Sequence, residues 1–219
     1  MTSKERATDS MRKASFDKSH DEFENWLFWY RDFLAKIQEA KQVVSRKFEK
    51  LELLEAIILR CAVRWEDLVL NDMIISLNRD SSKYSNELGL RLRKHLTLSE
   101  AEVILVGHRY IDFRSVSEIK AFGKRYLLSR FNPFKVITNP WSDAIDEFLT
   151  MRNLLAHYSR KAWRTYRTMM RNRYRLKRIP EPGSFLFSTN PSTHYVRWSE
   201  YLGTFHKCSR AMRRAVSGA

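Results

Sequence analysis

The sequence predicts an all-α protein, an up-and-down helical bundle with short inserted helices and a C-terminal amphipathic helix. Glycine and proline are scarce, with 6 and 5 in 219 residues, which is typical of helical proteins rather than sandwiches or barrels. Apolar residues recur every three or four positions over most of the chain. Three segments that precede apolar runs have the form of a capping box: Ser19–Glu22, Thr97–Glu100 and Ser115–Glu118.

The chain is expected to divide into three parts. Residues 1–18 alternate charges with Ser and Thr and are predicted to form a disordered N-terminal arm. Residues 19–179 carry the helical periodicity and form one helical domain. Residues 180–219 comprise a proline-containing connection and a helix that packs either on the bundle or on a partner subunit.

The first two predicted helices cover about 20–47 and 50–78. The apolar periodicity continues through both segments without Gly or Pro, but one helix of that length would be unusual in a globular domain. We therefore expect a break near residues 46–51. Shorter helices are predicted over 84–95, after the Thr97 capping box as far as Gly107, and after the Ser115 capping box.

Two further helices are predicted in the second half of the chain. Asn139 and Pro140 form a typical helix start, because Asn caps well and Pro suits the first turn. That helix is expected to run on towards Arg175. The last helix is indicated by a stripe of apolar residues at helical spacing: Trp198, Tyr201, Leu202, Phe205, Cys208 and Met212.

The charge balance predicts a polyanionic partner. Lys and Arg number 40 against 25 Asp and Glu, a net charge of +15. RNA, DNA, an acidic protein and an anionic membrane surface all fit such a balance. The polar N-terminus has no apolar core of a secretory signal, and no apolar stretch is long enough to span a membrane, so a cytoplasmic protein without a membrane is expected.

The residues with the strongest functional signal are Arg152, Asn153 and His157. Asn153 and His157 are four apart and share a helix face, whereas Arg152 and His157 diverge by about 140° and about 7.5 Å of rise. Histidine acts as acid or base near neutral pH, and arginine binds phosphate oxygens in a fork. The three would form a complete site if two copies of the helix faced each other across a two-fold axis.

An arginine-rich run follows the motif. Residues 160–178 hold nine Lys and Arg, and no acid occurs between Glu147 and Glu181. One interpretation is an electrostatic track for an RNA backbone, and the other is a solvated helix face whose aromatic residues belong to the core. The candidate RNA-binding residues are Arg160, Lys161, Arg164, Arg167 and Arg171.

The motif resembles that of the HEPN superfamily, in which an arginine, a polar residue and, after a short spacer, a histidine lie on a late bundle helix. The segment around 63–68 is similar to an earlier family helix that carries an acidic residue, here Glu66. The lead-in at 132–134 resembles that of some branches. The resemblance covers roughly residues 50–175. In one antitoxin-paired subset a tyrosine stands two residues after the histidine, where this chain has Ser159 and places Tyr158 one position earlier.

The resemblance implies a HEPN-like helical domain over 19–179 that dimerises with the motifs facing. It implies a metal-independent endoribonuclease of toxin–antitoxin or phage-defence type, with Arg152, Asn153 and His157 in the catalytic role. Glu66 and Tyr158 would support them, and an acidic antitoxin or regulatory protein would restrain the activity. A non-catalytic RNA-binding or scaffold protein of the same fold is the alternative, and a DNA-binding helical protein ranks last because the motif would be idle.

No metal and no cofactor are expected. The six histidines lack metal-ligand spacing, the two cysteines form neither a disulfide framework nor a metal pair, and no glycine-rich phosphate loop occurs.

Overall fold

The computed structural model describes residues 15–39, 47–108, 113 and 115–217, and this part of the chain is all-α as predicted. The only extended pairing within it is an isolated bridge between Thr189 and Val196. Its α-helices are α1 (Phe16–Glu39), α2 (Lys47–Arg79), α3 (Ser82–Leu88), α4 (Leu98–His108), α5 (Val116–Tyr126), α6 (Asn139–His157), α7 (Arg160–Tyr174), α8 (Pro182–Phe187) and α9 (Arg197–Val216). Two 3₁₀ turns, Ser129–Phe131 and Pro133–Val136, precede α6. No helix within the described ranges is sufficiently long and apolar to cross a membrane.

The chain divides into two compact units, and α1, α2 and α9 each contribute a segment to both. The first unit comprises residues 1–23, 66–138 and 208–219, and the second comprises 24–65 and 139–207.

The first unit buries apolar side chains from its long helices and from the shorter elements. Phe16, Ile75 and Val216 form one buried cluster. In the shorter elements, Asn132 caps the second 3₁₀ turn, because its Oδ1 accepts from Phe134 N at 3.1 Å. A Cβ added at Gly123 would come within 2.6 Å of the same Oδ1, so only glycine lets α5 approach the capped turn.

The second unit is centred on an aromatic cluster. The ring of Phe205 lies 5.2 Å from Trp65 and 5.1 Å from Phe148, measured between centroids. These contacts join α9 to α2 and α6, so the C-terminal helix packs on helices of the same chain. All six residues of the predicted α9 stripe are buried, which confirms the periodicity.

The start of α1 differs from the prediction. The helix begins at Phe16, so the boundary of the predicted 1–18 arm is wrong at its end, and residues 1–14 lie outside the described part. Ser15 caps the helix, since its Oγ accepts from Asp17 N at 3.1 Å. Ser19 lies inside the helix and its Oγ donates to Phe16 O, so the capping box predicted there is wrong.

Other boundaries also moved. α1 is described to Glu39 and α2 begins at Lys47, so the predicted start of the second helix at residue 50 is late, and residues 40–46 lie outside the described ranges. The helix predicted over 84–95 ends at Leu88, because Gly89 adopts a left-handed conformation with φ 64°. The Thr97 box is confirmed, since Glu100 N donates to Thr97 Oγ1 and Thr97 N donates to Glu100 Oε2. Ser115 is confirmed as a helix cap, since Glu118 N donates to its Oγ.

Candidate functional site

The Arg152–His157 motif occupies the last two turns of α6. The helix does not run on towards Arg175 as predicted, because it ends at His157. Tyr158 follows in the left-handed conformation, with φ 42°, and its N–H donates to Leu154 O at 2.8 Å. Ser159 then caps α7, its Oγ accepting from Ala162 N at 3.2 Å. His157 was expected in the middle of a long helix, and it is instead the last residue of α6.

Arg152 and Asn153 are joined directly. Arg152 Nη1 donates to Asn153 Oδ1 at 2.9 Å, and both side chains are half-buried. A carboxamide oxygen carries no charge, so this contact orients the guanidinium without neutralising it. The phosphate-binding role of Arg152 stays a prediction.

His157 is exposed, and its side chain makes no hydrogen bond or ion pair within the described part of the chain. The helix is regular up to this residue, so the offset of about 140° from Arg152 applies. The structure brings Arg152 and Asn153 together, and His157 lies one turn beyond Asn153 on the same face without a hydrogen bond to either within the described residues. One chain therefore presents a guanidinium and an imidazole on different faces of α6.

Tyr158 is turned towards α2 and not towards the motif. Its hydroxyl donates to Glu55 Oε2 at 3.4 Å, and Glu55 Oε1 accepts from Gly183 N at 3.3 Å. Partial burial and the neighbouring charge of Glu55 raise the pKa of Tyr158, and burial raises the pKa of Glu55. Glu55 thus ties the α6–α7 junction to the start of α8, a role that sequence reasoning missed because the partners lie more than a hundred residues away in sequence.

Glu66 lies on α2 in the first unit and is half-buried, whereas Arg152, Asn153 and His157 belong to the second unit. Its supporting role stays a prediction.

The basic face of α7 is exposed, as both the track interpretation and the solvated-face interpretation require. Tyr166 and Met170 are fully buried, four residues apart, so α7 turns its opposite side to solvent. The Tyr166 hydroxyl donates to Pro180 O at 3.0 Å, which makes this aromatic a core residue and not a stacking platform. All five candidate RNA-binding residues are exposed: Arg160, Lys161, Arg164, Arg167 and Arg171.

Trp163 is the aromatic of α7 best placed for contact with a base. It is half-buried, and the guanidinium of Arg167 lies 5.3 Å from its ring centroid. Arginine over an indole face is a favourable cation–π pair, and an RNA base can add to such a stack.

A second polar cluster, in the first unit, escaped sequence reasoning. His20 Nδ1 lies 2.7 Å from Ser209 Oγ, and His20 Nε2 lies 3.2 Å from Asp72 Oδ2. Ser19 Oγ donates to the other Asp72 oxygen at 3.4 Å. The serine, histidine and aspartate have the residue types of a hydrolase triad, but all three side chains are fully buried, so no substrate reaches the hydroxyl.

Neither cysteine is poised for chemistry. Cys61 and Cys208 are fully buried, and desolvation raises the pKa of each thiol to about 12. At neutral pH both are protonated and serve as small apolar groups.

Within the described ranges, no group of three His, Cys, Asp or Glu side chains is arranged to hold a metal ion.

Comparisons of the chain with protein-family models, with curated proteins and with solved structures find no match.

Proposed function

We propose that this protein is a metal-independent endoribonuclease that acts as a homodimer. The observation that carries the proposal is the junction of α6 and α7, where an exposed imidazole at the end of one helix directly precedes a helix with no acid and six exposed cations. RNA bound along the cations would pass the imidazole.

The chemistry requires two proton-transferring groups and a cation. A base removes the proton of a ribose 2′-hydroxyl, the 2′-oxygen attacks the adjacent phosphorus, and the 5′-oxygen leaves with a proton from an acid. The products are a 2′,3′-cyclic phosphate and a 5′-hydroxyl. His157 from each of two copies supplies the base and the acid, and Arg152 binds the phosphate oxygens in the orientation that Asn153 sets. Single-stranded RNA is the preferred substrate, because its 2′-oxygen can reach an in-line position.

A second copy is needed because one chain does not assemble the site. Arg152 contacts Asn153, and His157 lies on a different face of α6 from Arg152. A two-fold interface would repeat the same α6 end on both subunits and provide two imidazoles. An acidic antitoxin or regulatory protein covering α7 would restrain the activity, and the cytoplasm is the expected location.

A non-catalytic RNA-binding protein is the second candidate. It is favoured by the lack of any group that orients His157 within the described residues, since a general base is ordinarily held by a hydrogen bond. Both candidates use the same face of α7, so loss of RNA binding on charge reversal there does not distinguish them. An RNA-cleavage assay distinguishes them.

The decisive experiment incubates the purified protein with single-stranded RNA in EDTA. We expect wild type to cleave, and His157→Ala to lose about 100-fold to 10,000-fold in rate while keeping its helical content and its RNA affinity. His95→Ala, which removes another exposed histidine, is the matched control and should cleave like wild type. Cleavage unchanged by His157→Ala would reject the catalytic role, whereas tight RNA binding with no cleavage by wild type would favour the second candidate.

A mixing assay tests the two-copy site. Because the reaction takes one His157 from each copy, a dimer of one wild-type chain and one His157→Ala chain should be as inactive as the His157→Ala dimer. Activity on mixing equal amounts should therefore fall below half of the wild-type value, whereas a fall to half only would indicate independent sites. A protein that cleaves RNA while remaining a monomer in light scattering would contradict the two-copy site.

A further inference from the structure

The second unit contains a cleft of about 500 Å³ that the proposed ribonuclease site does not use. Its volume lies in the range of small-molecule sites. The walls come from α6, the end of α7, the loop before α9 and α9 itself. Its main polar lining consists of Glu147, Arg173, Tyr174, Arg197, Glu200 and Tyr201.

Arg197 is the most constrained group in this wall. It is 9% exposed, its Nε donates to Ser188 Oγ at 3.2 Å, and its guanidinium carbon lies 4.7 Å from the Tyr174 ring centroid and 4.5 Å from that of Phe185. Within the described part of the chain, no carboxylate lies at ion-pair distance from it. The charge of Arg197 acts on the neighbouring Glu147 without direct contact. A buried guanidinium that is held in place and makes no ion pair within the described residues can still bind an anion in a fork.

A second guanidinium lines the same cleft, and it is partly neutralised. Arg173 Nε lies 3.3 Å from Glu147 Oε2, and its Nη1 lies 3.8 Å from Asp143. Burial raises the pKa of Glu147, opposed by the Tyr174 hydroxyl and the Arg173 charge. Although the Tyr174 hydroxyl favours the carboxylate, no group meets hydrogen-bond geometry with Glu147 Oε1 within the described ranges.

The other carboxylate of the cleft is already engaged. Glu200 accepts from Asn190 Nδ2 at 2.9 and 3.1 Å and from Thr193 Oγ1 at 2.5 Å. Those neutral donors hold the Glu200 carboxylate on the loop, and within the described ranges it makes no ion pair with Arg197. The cleft thus carries two guanidiniums and two carboxylates, with the hydroxyls of Tyr174 and Tyr201 nearby, and Arg197 is its guanidinium without a carboxylate in direct contact.

We propose that this cleft binds a phosphate monoester of mononucleotide size, with the phosphate between Arg197 and Arg173. The planar forks of the two arginines match phosphate oxygens, and hydroxyls of the wall can donate to the same group. The ligand comes from one of two sources, a free nucleotide or the 5′-phosphorylated end of an RNA strand. The proposal concerns binding alone and stands apart from RNA cleavage.

The test is calorimetric titration of the full chain with adenosine 5′-monophosphate and with adenosine. We expect the nucleotide to bind and the nucleoside not to bind. Arg173→Ala and Arg197→Lys should each weaken nucleotide binding about tenfold or more, because each removes charge-assisted hydrogen bonds. Arg173→Ala also removes the ion-pair partner of the buried Glu147, so its helical content is checked by circular dichroism, and Arg197→Lys, which keeps the charge, is the second variant. Lys207→Ala, which removes an exposed cation of α9 outside the cleft, is the matched control and should bind like wild type.

A third variant gives an effect of opposite sign. Glu147→Gln removes the carboxylate that competes with the ligand for Arg173, so it should strengthen nucleotide binding several-fold. To separate the two sources, an RNA oligomer with a 5′-phosphate is compared with the same oligomer bearing a 5′-hydroxyl. If the protein prefers the phosphorylated oligomer and Arg173→Ala loses that preference, the ligand is the end of an RNA strand. If the two oligomers bind equally while the mononucleotide binds, the ligand is a free nucleotide. Equal binding of adenosine and its monophosphate, or full nucleotide affinity in both arginine variants, would overturn the proposal.

Discussion

Two histidines of this protein occupy opposite extremes of environment. His20, in the first unit, is fully buried and both its ring nitrogens have partners, Ser209 and Asp72. His157, in the second unit, is exposed and has no hydrogen-bond or ion-pair partner within the described residues. The first imidazole is oriented but inaccessible, and the second is accessible but not oriented. Only the second can meet a substrate, and its orientation has to come from the substrate or from another copy of the chain.

The buried cluster is a structural device because it links three helices. His20 lies on α1, Asp72 on α2 and Ser209 on α9, so one imidazole satisfies polar groups from two other elements. Burial raises the pKa of Asp72, and the hydrogen bond from His20 opposes that rise. Buried polar groups that are mutually satisfied stabilise one arrangement of helices, whereas any one left alone carries a desolvation cost.

The largest expected difference between the two histidines is in stability. His20→Ala leaves Asp72 and Ser209 buried without their common partner, and should lower the free energy of unfolding by about 3 kcal/mol. For a chain of this size that corresponds to a fall in Tm of roughly 6 to 12 °C. His157→Ala should change it by less than about 0.5 kcal/mol, as is usual for exposed positions. Urea denaturation followed by circular dichroism measures both changes in the free energy of unfolding. Equal changes in the two variants would contradict the prediction that only His20 contributes to stability.

A smaller effect is expected at the serine of the buried cluster. Ser209→Ala removes one partner of His20 while the contact with Asp72 remains, so the loss should be about 1 to 2 kcal/mol. The same denaturation experiment gives the value. If Ser209→Ala costs as much as His20→Ala, the serine and not the histidine holds the cluster together.

The contrast also explains what the sequence could predict. The stripe of α9 is local and repetitive, so its six buried residues follow from spacing alone. The cap at Ser115 could be predicted because its partner, Glu118, is three residues away in sequence. Ser19 has the same local pattern, but the helix already begins at Phe16 and its hydroxyl reaches Asp72, 53 residues along the chain. A local pattern does not encode that contact.

Asp72 carried a usable signal. It occupies a position in an otherwise apolar stripe of α2, and a charged residue in a buried stripe implies a buried partner. The sequence signal for the end of α6 is weaker, because the left-handed residue there is Tyr158 and not the usual glycine. Ser159 is a good helix cap, but without an acid three residues later it does not form a capping box. The sequence therefore identified the motif residues but not the helix end that follows them.

Glu147 is intermediate between the two extremes, since it is buried yet only partly satisfied. Its pKa is raised in the folded protein by burial. A raised pKa means that its contribution to stability is complete below about pH 4.5 and is lost as the pH rises through the folded value. Glu147→Gln should therefore be more stable relative to wild type at pH 7 than at pH 4, by an amount within about 1 kcal/mol. Denaturation at several pH values gives the difference, and a difference that shrinks as pH rises would contradict the sign.

The smallest effect is expected beside the exposed motif. Tyr158 has φ 42°, a conformation in which glycine is at least as stable as any other residue, and its hydroxyl makes only a long, exposed contact with Glu55. Tyr158→Gly should therefore raise the free energy of unfolding by about 0.5 kcal/mol. Tyr158→Phe, which keeps the ring and removes the hydroxyl, should change it less. A loss above about 1 kcal/mol in Tyr158→Gly would show that the ring anchors the α6–α7 junction. The end of α6 would then be held as firmly as the buried cluster, and His157 would have its orientation from within one chain.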